Sequence, residues 1–254
     1  MAHKEQLEFV ELVADSLPDS FRVKRVIEVG SLDINGSVRK FFADCTYIGL
    51  DVAAGPGVDV VCQGQDYDGP TGSFDTVISC ESMEHNPYWR ETFRNMVRLC
   101  KPGGLVLMTC ATTGRREHGT TRTDAAFSPN TVNMGWEYYR NLSPGNFKAA
   151  FDLETLFTHH RFFVNWLSFD LYFCGITRSD ASDAPTMDGW DRLVTEVDGW
   201  LAPYNKPRRS RYRGAVARLF GDRSFVWQRA GLRWLNASAG RLDELLQRLN
   251  NLVG

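Results

Sequence analysis

Apolar residues recur through Lys4–Leu17 at Leu7, Val10, Val13, Ala14 and Leu17, the spacing of one helical face, and Pro18-Asp19 stops the run. The pattern then changes period. Arg25–Val29, Thr46–Leu50, Val58–Cys62, Phe74–Cys80 and Leu105–Cys110 are short apolar runs rich in Val, Ile and Leu, which is how strands buried on both faces read. Between them lie a Gly/Asn turn at Gly30–Gly36, a segment Ser37–Phe42 that can open a helix, a Gly/Pro loop at Ala53–Gly57 and a polar stretch Gln63–Ser73. Asn86-Pro87 is placed to cap and start a helix through Leu99, and Lys101-Pro102-Gly103-Gly104 reads as the turn into the fifth strand.

Strands alternating with helices predict an α/β fold, a Rossmann-like doubly wound sheet that is mostly parallel. Right-handed crossovers bring the C-terminal strand ends to one edge, and ligands bind in the crevice beyond it. Gly30–Gly36, Asp51, Gln63–Asp66 and Cys80–His85 are therefore expected to face one cleft. Downstream, Ala111–Lys148 is a long polar segment of the kind that forms functional lids. Asp152–His159 suggests a helix, and Arg161–Phe169 with Leu171–Thr177 suggests a terminal antiparallel pair. Ser179–Gly189 is linker-like, and the chain from about Gly189 is helical and arginine-rich in character. The expected organisation is a domain over 1–178, with 111–150 as substrate or lid segment, and a helical extension over 179–254.

Composition narrows the class. A chain of 254 residues, 43% hydrophobic and 24% charged, suits one globular domain with an appendage. The net charge of -2 supplies no global attraction for nucleic acid, and no specific nucleic-acid partner is expected. Six scattered cysteines without a C-x-x-C pair read as reduced, buried thiols and not as a zinc site. The polar N-terminus has no apolar signal core, and no apolar stretch approaches the ~20 residues of a membrane span, so a cytoplasmic protein is expected. Lys206–Arg213 is a basic cluster, extended by Arg218, Arg223, Arg229, Arg233, Arg241 and Arg248. It suits anionic lipid at a membrane surface, a nucleotide-sugar, nucleic acid or an acidic partner, or else a solvated linker. Leucines along Arg241–Leu252 suit helix packing or a contact between copies of the chain.

Four features in order carry the chemistry. Val26-Ile27-Glu28-Val29-Gly30 is a strand ending in an acid and a glycine, where backbone can approach a ligand closely. Asp51 ends the second strand, where an acid meets a ribose diol in doubly wound folds. Gln65 and Asp66 are placed for an adenine edge, and the K-P-G-G turn precedes the fifth strand. With Phe74-Asp75-Thr76-Val77-Ile78-Ser79, this ordered set resembles the class I S-adenosylmethionine-dependent methyltransferases over about Val23–Cys110, of the methyltransferase type 11-like kind.

The resemblance implies S-adenosylmethionine as cofactor and S-adenosylhomocysteine as product. It puts Glu28 and Gly30 at the methionine moiety, Asp51 and Val52 at the ribose, Gln65 and Asp66 beside adenine, and Ser79 and Cys80 beneath the sulfonium. The first loop departs from the family's G-x-G-x-G. In Gly30-Ser31-Leu32-Asp33-Ile34-Asn35-Gly36 only the outer glycines remain. Asn35 can adopt a left-handed conformation in partial compensation, and Asp33 either reaches the cofactor's amine or orders its own turn.

A hydroxyl acceptor needs its proton removed. His85, just beyond the fourth strand, is the first candidate base, or else a structural histidine at a helix entry, and His118, in the loop after the fifth, is the second, or else a solvent-exposed loop residue. His159 and His160 read as structural. Glu84, His85 and His118 together would offer one carboxylate and two imidazoles to a divalent cation, but their spacing is not diagnostic and no metal is expected. Glu81, Arg115, Arg116, Trp136, Tyr138 and Tyr139 are candidate acceptor contacts, the arginines (with Arg122) for an anionic group and the aromatics for a sugar or planar ring. Asn86-Pro87-Tyr88-Trp89 lies too far past the strand for the N-P-P-Y motif of nucleobase methylation. The expected activity is O-methylation of a small molecule or glycan, in the manner of surface-polysaccharide or secondary-metabolite enzymes. The alternatives are a nicotinamide-dependent oxidoreductase on a similar sheet, and a non-catalytic interaction module.

Overall fold

The structure, a computed structural model, describes residues 4–179 and 187–224. Its strands are β1 (Arg25–Val29), β2 (Thr46–Asp51), β3 (Val60–Val61), β4 (Phe74–Cys80), β5 (Cys100–Ala111), β6 (Phe157–Asn165) and β7 (Asp170–Thr177). Its helices are α1 (Lys4–Ser16), α2 (Trp89–Leu99), α3 (Pro129–Asn133), α4 (Pro144–Ala150), α5 (Leu153–Leu156), α6 (Met187–Asn205) and α7 (Arg208–Phe220). The strands form one sheet in the order β3-β2-β1-β4-β5-β7-β6. β1 to β5 are parallel, and β7 runs antiparallel to both β5 and β6. The doubly wound sheet with an antiparallel terminal pair is the architecture that the hydrophobic pattern predicts.

Successive strand residues alternate between two cores. Val26, Ile78, Leu107 and Tyr172 meet Phe9 and Val13 of α1 and Leu193 and Val197 of α6 on one face. Ile27, Val77, Val106 and Phe173 meet Phe93 and Met96 of α2 and Phe147 of α4 on the other. Large rings fill both layers: Phe9 stacks on Tyr172 at 4.7 Å, and Phe93 lies 5.1 Å from Phe147 and 5.5 Å from Phe173.

Several elements differ from the sequence expectation, each for a local reason. The third strand shrinks from Val58–Cys62 to two residues, because it is the sheet edge and Val60 and Val61 are 38% and 58% exposed. Ser37–Phe42 makes only a single 3-10 turn, Val38–Phe41. K-P-G-G is a bulge inside β5, tied down by Lys101 to Asp75 at 2.5 Å and by the Thr177 hydroxyl to the Lys101 carbonyl at 2.5 Å. α2 starts at Trp89, since Asn86 accepts from the Tyr88 N–H (2.8 Å) and donates to the Thr92 hydroxyl (2.8 Å), forming a turn before the helix. Asp152–His159 splits into one turn of helix and the start of β6, because Phe157 is buried against Phe173 at 5.3 Å. β6 ends at Asn165, whose side chain accepts from the Leu167 and Ser168 N–H groups at 2.9 and 3.3 Å.

All six cysteines are unbridged. No described helix is long and apolar enough to cross a membrane. The linker at 180–186, Arg229, Arg233, Arg241, Arg248 and the leucine pattern of 241–252 lie outside the described residues. Within α7, Arg213 packs over Phe169 (4.3 Å) and donates to the Leu167 carbonyl (2.7 Å).

Candidate active site

The sheet order reverses direction between β1 and β4, and the crevice beyond their C-terminal ends holds the first cavity. Gly30 and Ser31 both donate to the Leu50 carbonyl at 2.9 Å, which turns the chain over the end of β2. Gly30 has φ +81°, and a Cβ there would stand 2.5 Å from the Ser82 Cβ, so only glycine fits without strain. Asp51 accepts from the Leu32 N–H (3.2 Å), the Val52 N–H (2.9 Å) and the Asn130 amide (2.8 Å). Gly30, Asp51, Val52, Glu81 and His85 line this cavity, and Phe127–Thr131 with Trp136 roof it. The cavity, open to solvent on one side, has a volume of about 70 Å³. Ligand pockets generally measure about 300–1,000 Å³, so a nucleoside ligand must displace the 127–136 roof.

Other expected cofactor contacts lie off the cavity. Glu28 is buried and accepts from the Tyr47 hydroxyl at 2.8 Å; burial pushes its carboxyl up to about 7. Asp33 accepts from the Gly36 N–H (2.7 Å), ordering its own turn, while Asn35 and Gly36 are exposed at its tip. Ser31 is buried, Ser79 shares a hydrogen bond with Ser82 (2.7 Å), and Cys80 is buried with its thiol pushed up by desolvation. Gln65 accepts from the Thr92 hydroxyl (3.2 Å), and Asp66 is exposed. The lining instead includes Leu32, Cys62, Gly64, Ser82 and Asn130, which sequence reasoning missed. Gly64 is held from α2, where Asn95 donates to the Gly64 (2.7 Å) and Tyr67 (3.0 Å) carbonyls. Asn130 had no signal, being 79 residues from its partner Asp51.

A second cavity of about 740 Å³ opens on the far side of Glu81, His85 and Phe127, which line both. Glu81 has φ +51°, a left-handed conformation that costs a non-glycine residue about 1–2 kcal/mol. It is held there by its N–H to the Thr109 carbonyl and by the Thr109 hydroxyl to its carboxylate, both at 2.9 Å. The next turn, Met83–His85, delivers Glu84 and His85 into the interior. Glu84 accepts from the Ala111 N–H (3.1 Å), and burial followed by the charge of Glu81 raises its carboxyl.

The two candidate bases come together. The rings of His85 and His118 meet edge-on at 5.1 Å, with Tyr139 at 5.5 and 5.0 Å from them. Burial lowers His85 to about 3, with His118 adding to the effect, and burial also lowers His118. Both imidazoles are therefore neutral at pH 7. His118 Nδ1 lies 3.1 Å from the Arg116 carbonyl, which can only accept, so Nδ1 carries the proton and Nε2 the lone pair.

The expected acceptor contacts separate. Arg115 is engaged by Asp170 (2.7 Å) and the Ser168 carbonyl (2.6 Å), and Arg122 by Glu117 (2.8 Å) and Glu137 (3.2 Å). Arg116 also lines the second cavity, is exposed and makes no ion pair among the described residues. Trp136 belongs to the first cavity and packs on Tyr88 (5.7 Å), while Tyr138 lines neither. His159 stacks on Trp190 (5.4 Å) and His160 faces Glu154 (3.8 Å), both on β6.

A methyltransferase domain family matches residues 1–162. No curated protein matches the chain. Among solved structures it is similar to the 1,6-didemethyltoxoflavin N1-methyltransferase of Burkholderia thailandensis, bound to 1,6-didemethyltoxoflavin and S-adenosylhomocysteine. The identity is 12%, over 67% of this chain and 78% of that one, with a TM-score of 0.47. The N-methyltransferase NodS of Bradyrhizobium japonicum, in complex with S-adenosylhomocysteine, is 14% identical over 69% of this chain and 88% of its own, with a TM-score of 0.45. Phosphoethanolamine N-methyltransferase 2 of Haemonchus contortus is 14% identical over 69% of this chain and 57% of its own, with a TM-score of 0.46.

Proposed function

The chain belongs to the methyltransferase domain family and is an S-adenosylmethionine-dependent methyltransferase, and from that premise we propose that its acceptor is a hydroxyl group on a polar small molecule or glycan. The observation that carries this reading is the wall of Glu81, His85 and Phe127 shared by two cavities. S-adenosylmethionine occupies the first. Its ribose hydroxyls take the place of the Asn130 amide on Asp51, and Gly30 and Val52 lie against it. The acceptor occupies the second cavity, with Arg116 at its rim.

The sulfonium methyl is already activated, so this chain's task is to align acceptor oxygen, carbon and sulfur and to exclude water. As the O–CH3 bond forms, the S–CH3 bond breaks, its electron pair stays on sulfur, and S-adenosylhomocysteine leaves neutral at that atom. A hydroxyl must also lose its proton. The paired neutral imidazoles of His85 and His118 stand at that junction, and an amine acceptor would have less need of them. The same reading carries with it a cytoplasmic enzyme of surface-glycan or secondary-metabolite synthesis, a class reached by analogy with such methyltransferases.

The test is calorimetric titration with S-adenosylhomocysteine, then incubation with S-adenosylmethionine and matched hydroxyl and amine acceptors. One equivalent of S-adenosylhomocysteine should bind, and hydroxyl acceptors should gain methyl. His85→Ala or His118→Ala should lose turnover and keep cofactor binding. Thermal stabilisation by NAD but not by S-adenosylmethionine would establish the oxidoreductase alternative, and absence of S-adenosylhomocysteine binding the non-catalytic one.

A further inference from the structure

Two buried polar atoms at the junction of the cavities have no hydrogen-bond partner among the described residues: Glu84 Oε2 and His85 Nδ1. Glu84 is fully buried and His85 is 3% exposed. An unpaired buried acceptor costs about 1–3 kcal/mol, and more when charged, so two on adjacent residues call for an occupant. A donor atom from each of Glu84, His85 and His118 lies within 4.8 Å of those of the other two. We propose that these three residues hold a divalent first-row transition cation, and that this cation activates the acceptor hydroxyl.

The surroundings fit a ligand set. His118 donates Nδ1–H to the Arg116 carbonyl, leaving Nε2 free, as a metal-bound imidazole oriented by a backbone oxygen requires. Gly119 lets its loop close on His85: a Cβ there would stand 2.5 Å from His85 Cε1. Glu81, which opens onto both cavities, adds negative charge beside the site. Bonds of about 2.1 Å allow donor atoms to be at most about 4.2 Å apart. Closure by well under about 1 Å, within side-chain motion, therefore completes the coordination. Two imidazoles and one carboxylate favour Mn²⁺, Fe²⁺, Co²⁺ or Zn²⁺ over Mg²⁺, which prefers oxygen and retained water.

Three protein donors leave open positions on an octahedral cation, which suits an acceptor with two neighbouring oxygens, such as a sugar diol. Coordination would lower the pKa of the bound hydroxyl, its proton would pass to water in the wide second cavity, and the alkoxide would take the methyl carbon as the S–CH3 bond breaks. With the cation bound, His85 and His118 serve as ligands and not themselves as the base; this role rests on the hydroxyl-acceptor reading above, and binding of the cation does not.

The decisive experiment uses the full-length protein, stripped with chelator and saturated with S-adenosylhomocysteine. Free Mn²⁺ is followed by electron paramagnetic resonance during titration. One equivalent should bind, and His118→Ala, a substitution of a partly buried loop residue outside the sheet cores, should weaken it at least tenfold. His160→Ala, far from the site, should leave it unchanged. Far-UV circular dichroism and S-adenosylhomocysteine affinity serve as controls that His118→Ala is folded. Failure of Mn²⁺ and Zn²⁺ to bind the wild type, or equal binding by His118→Ala, overturns the metal site. Stoichiometric metal binding with methylation only of amines would keep the site and overturn the hydroxyl reading. Full hydroxyl methylation in excess chelator would keep that reading and overturn the cation's role.

Discussion

Gly30→Ala is the sharpest test of how the cofactor turn is built. The new methyl meets two separate obstacles. At φ +81° an L-residue pays a left-handed cost of about 1–2 kcal/mol. Its Cβ would also stand 2.5 Å from the Ser82 Cβ and 2.8 Å from the Ser82 hydroxyl, and overpacking of this kind costs about 1–3 kcal/mol. Together a destabilisation of about 2–5 kcal/mol is expected in urea unfolding followed by circular dichroism. The two parts can be separated. Ser82→Gly removes the clashing atoms and leaves the backbone conformation alone. In a double-mutant cycle it should return about 1–3 kcal/mol to Gly30→Ala and leave the left-handed cost standing. A loss below about 0.5 kcal/mol for Gly30→Ala, or a cycle with no coupling, would refute the geometry on which the cavity floor rests.

Asn130→Ala frees the Asp51 carboxylate, so S-adenosylhomocysteine should associate faster in stopped-flow Trp136 fluorescence, whereas Asp51→Ala should weaken its binding by at least about tenfold through lost charge-assisted hydrogen bonds. Glu28 titrates at about 7 in the folded protein against 4.5 ordinarily, so its contribution is fully present below about pH 4.5 and is lost as pH rises through 7. Glu28→Gln should therefore flatten the pH dependence of Tm and stabilise the protein at pH 8 by up to about 3 kcal/mol; a parallel decline in both proteins would contradict the burial argument. Arg115→Ala removes the ion pair of the fully buried Asp170 carboxylate, which keeps the Tyr172 hydroxyl at 3.4 Å, and should cost about 3–5 kcal/mol, while Arg116→Ala should leave stability unchanged and raise the acceptor's KM.

Much of the frame was legible before any coordinates. β1 and β4 are continuous apolar runs bounded by turns, and their limits coincide with the predicted ones. Asp51 and Gly30 were legible as crevice residues because strand-end position, and not a distant contact, puts them at the cavity wall. Glu28 reads as well as Asp51 in one dimension, but whether a strand-end acid faces the crevice or a neighbouring tyrosine depends on which side of the sheet it meets, and Tyr47 is on the adjacent strand. Arg115 and Arg116 are likewise indistinguishable neighbours until Asp170, from another strand, engages one of them.

The chain's own order of apolar runs, turns and acids thus determined the sheet and the family resemblance, because strand period and turn chemistry are local properties. Tertiary structure alone decided the chemistry of the acceptor side. His85 and His118 are 33 residues apart in the chain, and the sequence offers Glu84 beside them as a ligand by residue type only, with no diagnostic spacing. Only the folding of the lid segment against the end of β4 brings their donor atoms within 4.8 Å. Burial there removes water from Glu84 Oε2 and His85 Nδ1 and leaves these two atoms without hydrogen-bond partners among the described residues, a property of the packed interior that no run of letters carries.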